Sequence, residues 1–144
     1  DGRPLALVDV RSVTALRTAT NGVYDSSRLA QVPTALRRKY FEPVHGGAGA
    51  EPDSRVVQSL RSRMMFKRLN LATPPFPMRG DLDAVFCRNV MIYFDAPTQR
   101  RVLERMHRAL KPGGLLFAGH SENFSDAREL FRLRGKTVYE RVGA

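Results

Sequence analysis

The run Phe86-Cys87-Arg88-Asn89-Val90-Met91-Ile92-Tyr93-Phe94 holds the densest chemistry in the chain. Ala84 to Cys87 reads as a central parallel strand, and it delivers Arg88 and Asn89 at its end. A guanidinium there can clamp a carboxylate through a rigid fork of donors. An asparagine offers both a donor and an acceptor. Tyr93 follows in a short apolar stretch and adds a hydroxyl on an aromatic body. On these residues alone two readings stand. One is a site that orients an anion, and the other is a loop-fixing, helix-capping turn of the kind asparagine favours. Asp9, Asn70 and His120 also follow predicted strands.

Other chemistries find less support. The one cysteine, Cys87, rules out an internal disulfide and reads as a small apolar strand residue. That fits a reducing, cytoplasmic setting. No Ser-His-Asp or Cys-His arrangement is evident, and no ligand spacing points to a metal. His45 and His107 read as surface residues, and His120 as solvated or capping. Gly46-Gly47-Ala48-Gly49 lacks the preceding strand and following helix start of a phosphate cradle. Thr73-Pro74-Pro75-Phe76 is similar to the Asn-Pro-Pro-aromatic motif of DNA amino-group methyltransferases. Thr73 lacks the amide or carboxylate that grips an exocyclic amine, so a plain turn is expected.

These residues must be positioned by one modest core, since 144 residues allow one domain. The absence of a methionine at Asp1 reads as a fragment or trimmed chain. No apolar run approaches the roughly 20 residues that span a bilayer, and no signal peptide is visible. The net charge of +10 favours an acidic partner. The basic residues are dispersed, with Arg100, Arg101 and Arg105 on a solvated helix face. No stacking aromatic series or basic helix supports nucleic-acid binding.

Leu5 to Val8 reads as a buried parallel strand ending at Asp9, and Val13 to Thr20 as a helix stopped by Asn21-Gly22. A second helical stretch lies within Pro33 to Phe41. Around the Gly- and Pro-rich loop, a small antiparallel insert is expected over 40–66, with Arg55 to Met65 readable as strand or helix. Phe66 to Leu71 reads as another strand. Asp95 and Pro97 start a helix whose stripe is Val102, Leu103, Met106, Ala109 and Leu110. Lys111 to Gly114 ends it. Leu115 to Gly119 is the next buried strand, then a further helix, then a hairpin over Phe131 to Val142. This order predicts an α/β domain with a mostly parallel sheet, whose ligands sit beyond the carboxyl ends of the strands.

Phe86 to Asp95 (FCRNVMIYFD), Leu115 to Phe124 (LLFAGHSENF) and Leu133 to Tyr139 (LRGKTVY) closely resemble the chemotaxis receptor glutamate methyltransferases. Asn21 to Tyr24, Arg38 to Phe41 and Asn70-Leu71 extend the resemblance over nearly the whole chain, weakest from Pro43 to Leu60. The resemblance implies a class I, Rossmann-like methyltransferase domain with S-adenosylmethionine as methyl donor. It implies that Asp9 accepts from cofactor hydroxyls, that Asn70 and Leu71 lie near the adenine, and that Arg88 and Asn89 make further cofactor contacts. Arg88 and Tyr93 match the residues beside the transferred methyl group. The family's first parallel strand and its glycine-containing loop are not found in residues 1–144. Class I order places that strand between those ending at Asp9 and at Arg88, so this chain is expected to be an incomplete enzyme by itself.

The implied reaction is methyl esterification of glutamates on the cytoplasmic domain of methyl-accepting chemotaxis receptors. In some members the β insert binds a peptide tether at the receptor's C-terminus. A glutamate is already ionised at neutral pH, so no general base is required, in agreement with the missing triads. The alternatives are an inactive remnant that binds receptor or cofactor, and a basic nucleic-acid-binding domain, which the residues do not favour.

Overall fold

The computed structural model describes residues 6–9, 13–44, 52–73 and 80–143. They divide between a unit ending at Leu69 and a unit beginning at Asn70. The loop glycines Gly46, Gly47 and Gly49, His45 and the Pro74 to Pro77 turn lie outside the described residues.

In the first unit, β1 (Ala6–Asp9) pairs in parallel with β5 (Met64–Lys67), Asp9 opposite Lys67. Parallel partners need a long connection. This one runs through α1 (Val13–Asn21), β2 (Val23–Tyr24), α2 (Ser26–Leu29), α3 (Thr34–Tyr40), β3 (Phe41–Val44), β4 (Asp53–Val56) and α4 (Gln58–Arg61). α1 stops at Gly22, whose φ of +67° suits the left-handed position that glycine adopts freely. Its N–H donates to the Thr18 carbonyl at 2.8 Å.

β2, β4 and β3 form an antiparallel sheet in that order, with Phe41 opposite Val56 and Val44 opposite Asp53. Its third strand comes from Val23–Tyr24, upstream of residues 40–66. The ambiguous stretch from Arg55 to Met65 resolves into strand end, helix turn and strand start. The strand expected over Phe66 to Leu71 runs instead over Met64–Lys67, because the four-residue register with β1 sets its span.

The second unit carries β6 (Leu82–Phe86), a 3-10 turn at Met91–Tyr93, α5 (Ala96–Ala109) and β7 (Leu110–Phe117). A 3-10 turn at Ser125–Ala127 and the hairpin β8 (Phe131–Gly135) and β9 (Val138–Arg141) complete it. The sheet order is β6-β7-β9-β8, parallel between β6 and β7 and antiparallel elsewhere. α5 packs on β7 and buries the predicted stripe: Val102, Leu103, Met106 and Ala109 are at most 4% exposed. Leu110, Leu116 and Phe131 are buried with them. Each large apolar side chain so buried contributes about 1.5–3 kcal/mol.

Four expectations are corrected here. His107 is buried, not on the surface, its Nε2 2.7 Å from the Val142 carbonyl and its ring edge-on to Phe131. It stands four residues after Leu103, on the same helix face. Arg105 is not simply solvated, since its Nη1 donates to the Leu71 carbonyl at 2.7 Å. The helix expected before the hairpin is a single 3-10 turn. The Asn123 side chain accepts the Ser125 N–H at 2.9 Å, a local bond that competes with helix propagation. Finally, β7 begins at Leu110 rather than Leu115. Leu82 pairs with Leu110 and Ala84 with Leu115, so Lys111 to Gly114 forms an irregularity in the ladder.

Candidate functional site

β6 ends at Phe86, and the Cys87 N–H extends its ladder by one bond to the Phe117 carbonyl, 2.9 Å away. The chain then reverses. Asn89 has φ +58°, a left-handed conformation that asparagine tolerates better than most residues. Val90 follows in the right-handed region, with φ −114° and ψ −42°. Successive N–H groups in such a pair converge on one point and form an anion-binding concavity.

The carboxylate of Glu122 fills it. Its Oε1 accepts the N–H groups of Val90 at 3.0 Å and Met91 at 2.8 Å. Its Oε2 accepts those of Asn89 at 3.2 Å and Gly119 at 2.6 Å. Glu122 is 6% exposed. The carbonyl side of the turn is held by Gln99, whose Nε2 donates to the Met91 carbonyl at 3.0 Å and the Phe94 carbonyl at 2.9 Å.

Below the turn, Asp95 caps α5 by accepting the Thr98 N–H at 2.8 Å. Bonds from the Thr98 hydroxyl and then its N–H hold the Asp95 carboxyl below the ordinary aspartate range.

This framework anchors the backbone and leaves the chemistry-bearing side chains outside. Met91 is buried and plugs the turn into the core. Tyr93 is 72% exposed, and Arg88 and Asn89 are exposed. Arg88, Asn89 and Tyr93 therefore share one turn, as their spacing predicts. Asn70 and Leu71 lie in the same unit. The Asn70 side chain accepts the Ala72 N–H at 3.0 Å, closing a local turn, and Leu71 is buried. Asp9 is the last residue of β1 in the other unit. His120 is exposed.

Glu122 and Gln99 were not among the expected site residues. Glu122 lies inside the quoted Leu115 to Phe124 stretch, but its turn partners are backbone groups 31 to 33 residues upstream. Among the described residues, no group of His, Cys, Asp and Glu side chains could hold a metal ion, and no helix is long and apolar enough to cross a membrane.

A polar cleft in the first unit, about 440 Å³, is lined by Thr18, Asn21, Val23, Arg55 and Arg61. It lies beside the antiparallel sheet, to which Val23 and Arg55 belong.

A sequence model of the family described as "CheR methyltransferase, SAM binding domain" matches residues 8–140. The chain is similar to chemotaxis protein methyltransferase 2 of Pseudomonas aeruginosa, 49% identical over 124 residues, which is 86% of this chain and 44% of that protein. It is 48% identical to the chemotaxis protein methyltransferase of Klebsiella aerogenes, covering 86% of this chain and 42% of the relative. The Escherichia coli protein of the same name is 45% identical over the same share of this chain and 43% of its own length. The chain thus spans less than half the length of these relatives.

Proposed function

The chain belongs to the CheR methyltransferase family, through its SAM-binding domain, and from that premise we propose that it forms part of an enzyme that methyl-esterifies glutamate side chains of chemotaxis receptors. The observation that carries this reading is the anchored turn after β6, which exposes Arg88 and Tyr93 on a rigid base.

S-adenosylmethionine, when bound, supplies an electrophilic methyl group on a sulfonium. The donor set of the chain fits that molecule. An acid at the end of a strand, Asp9, suits ribose hydroxyls. Asn70 and Leu71 offer amide and apolar contacts near the adenine, and Asn89 a further amide contact to the cofactor. Arg88 offers a fork for a carboxylate, that of the cofactor or of the attacking glutamate. The face of an exposed tyrosine ring attracts a cation, which suits Tyr93 to the sulfonium side of the site.

The work left to the protein is placement. The glutamate nucleophile is ionised at neutral pH, so no proton has to be removed. In this reading Arg88 orients the attacking carboxylate or the cofactor, and Tyr93 packs its ring against the methyl site and aims its hydroxyl inward. Orientation of this kind supplies up to about 7–11 kcal/mol in model reactions.

The finer fold reading belongs to the same proposal. It is a class I sheet whose first strand is not supplied by residues 1–144. Two features of β6 support it: it pairs only with β7 among the described residues, and Phe86 on it is 71% exposed. The receptor's cytoplasmic domain is the proposed partner, in the cytoplasm. A receptor tether peptide is proposed to pair with an edge of the antiparallel sheet, and the cleft containing Arg55 and Arg61 would suit an acidic peptide.

The test is transfer of labelled methyl groups from S-adenosylmethionine to receptor-bearing membranes by the complete enzyme that contains this chain. Base-labile label on receptor glutamates is expected. Label that resists base, or none at all, rejects the assignment.

A further inference from the structure

The Arg88–Tyr93 turn has the form of an anion receptor that is already occupied from within. A carboxylate offers two oxygens and about four lone-pair sites. Each oxygen of Glu122 accepts two backbone N–H groups, so its acceptor capacity is used in full. A buried carboxylate is costly unless hydrogen-bonded, and here four backbone amides offset that cost.

No close substitute does the same. Glutamine has one acceptor oxygen and would turn an NH2 group toward N–H donors. Aspartate is one methylene too short to keep all four bonds from the same backbone position.

One consequence follows for recognition. An incoming anion cannot use the backbone amides of Asn89, Val90 and Met91, because Glu122 holds them. It is left to the exposed side chains, Arg88 above all. Gln99 fixes the opposite, carbonyl face of the same turn.

We infer that Glu122 is a positioning residue: the internal anion of a backbone nest, which fixes where Arg88 and Tyr93 stand. Its use in methyl transfer rests on the function proposed above, whereas the nest itself does not.

The test uses the complete enzyme that contains this chain, with Glu122→Ala and Glu122→Gln. Amide resonances of Asn89, Val90, Met91 and Gly119 are followed alongside methyl transfer. Both variants are expected to move those four amides. Their kcat should fall about a hundredfold while the receptor KM stays within about twofold. Acetate, which matches the deleted CH2–COO− group, but not chloride at equal ionic strength, should return about tenfold of the loss in Glu122→Ala by refilling the nest. It should do nothing for Glu122→Gln, where the amide occupies the space.

Wild-type kcat in Glu122→Gln, or a loss of kcat with the four amides unmoved, would overturn the inference. If Glu122→Ala does not fold, Glu122→Gln decides by those same two readouts. If the wild-type complete enzyme transfers no methyl groups, the proposed function fails, and the amide shifts with and without acetate still decide whether Glu122 holds the nest.

Discussion

A methyl group on Gly119 would overlap the Asn89 side-chain oxygen and stand 2.9 Å from the Asn89 backbone nitrogen. The end of β7 and the turn after β6 are therefore packed with no room for a side chain between them. Gly119→Ala must push the Asn89 turn away or shift Glu122, whose Oε2 would lie 3.0 Å from the new carbon. Overpacking of this kind costs about 1–3 kcal/mol. The expected result is a lower denaturant midpoint with an unchanged slope, together with reduced methyl transfer. A midpoint equal to wild type would show that the turn yields without strain.

Stability and activity should separate at Tyr93. Its side chain is 72% exposed, so Tyr93→Phe removes a hydroxyl that the fold does not need. Surface changes of this kind stay within about 0.5 kcal/mol. Methyl transfer is expected to fall by about tenfold or more, because the hydroxyl is assigned to the methyl site. Arg88→Lys should behave similarly, keeping the charge and losing the fork. Full turnover in both variants would remove this turn from the reaction.

The opposite separation is expected at Met106, which is 1% exposed where α5 meets β7. Met106→Ala leaves every site side chain in place and opens a cavity. The expected loss is about 2–5 kcal/mol, read from chemical denaturation. Below the melting range, kcat should remain near wild type. A loss under 1 kcal/mol, on the scale of about 2–5 expected for such truncations, would mean that the core collapses into the gap.

Much of this arrangement was legible in local spacing. The stripe from Val102 to Leu110 predicts the buried face of α5, and Asp95 with Pro97 predicts its start. The end of β6 and the grouping of Arg88, Asn89 and Tyr93 follow from an apolar run meeting polar residues. The missed features depend on contacts distant in sequence. Glu122 reads as a loop residue until the Asn89 to Met91 amides are brought to it. Val23–Tyr24 is too short to announce itself as a strand, and its partner lies at Ser54 and Arg55. His107 is the exception. Its place four residues after Leu103 puts it on the buried face of the helix, where periodicity outweighs the polarity of the imidazole.

The helix that carries Gln99 should weaken in acid through its own cap. Asp95 accepts the Thr98 N–H, and the bonds from Thr98 depress its carboxyl below the ordinary aspartate value. A depressed folded-state value means that the contribution is present above the unfolded-state value. It is lost as pH falls through the folded one. Comparison with Asp95→Ala removes the background of other carboxylates, such as Glu140 beside Arg132, which is also held low. The stability gap between wild type and Asp95→Ala is expected to shrink as pH falls from about 5 to about 2. Asparagine caps helices as well as aspartate does and does not titrate. The gap between Asp95→Asn and Asp95→Ala should therefore stay constant across the same range. Unfolding midpoints at several pH values for the three proteins decide the matter, and a wild-type gap that does not close would mean that the Asp95 charge plays no part in holding α5.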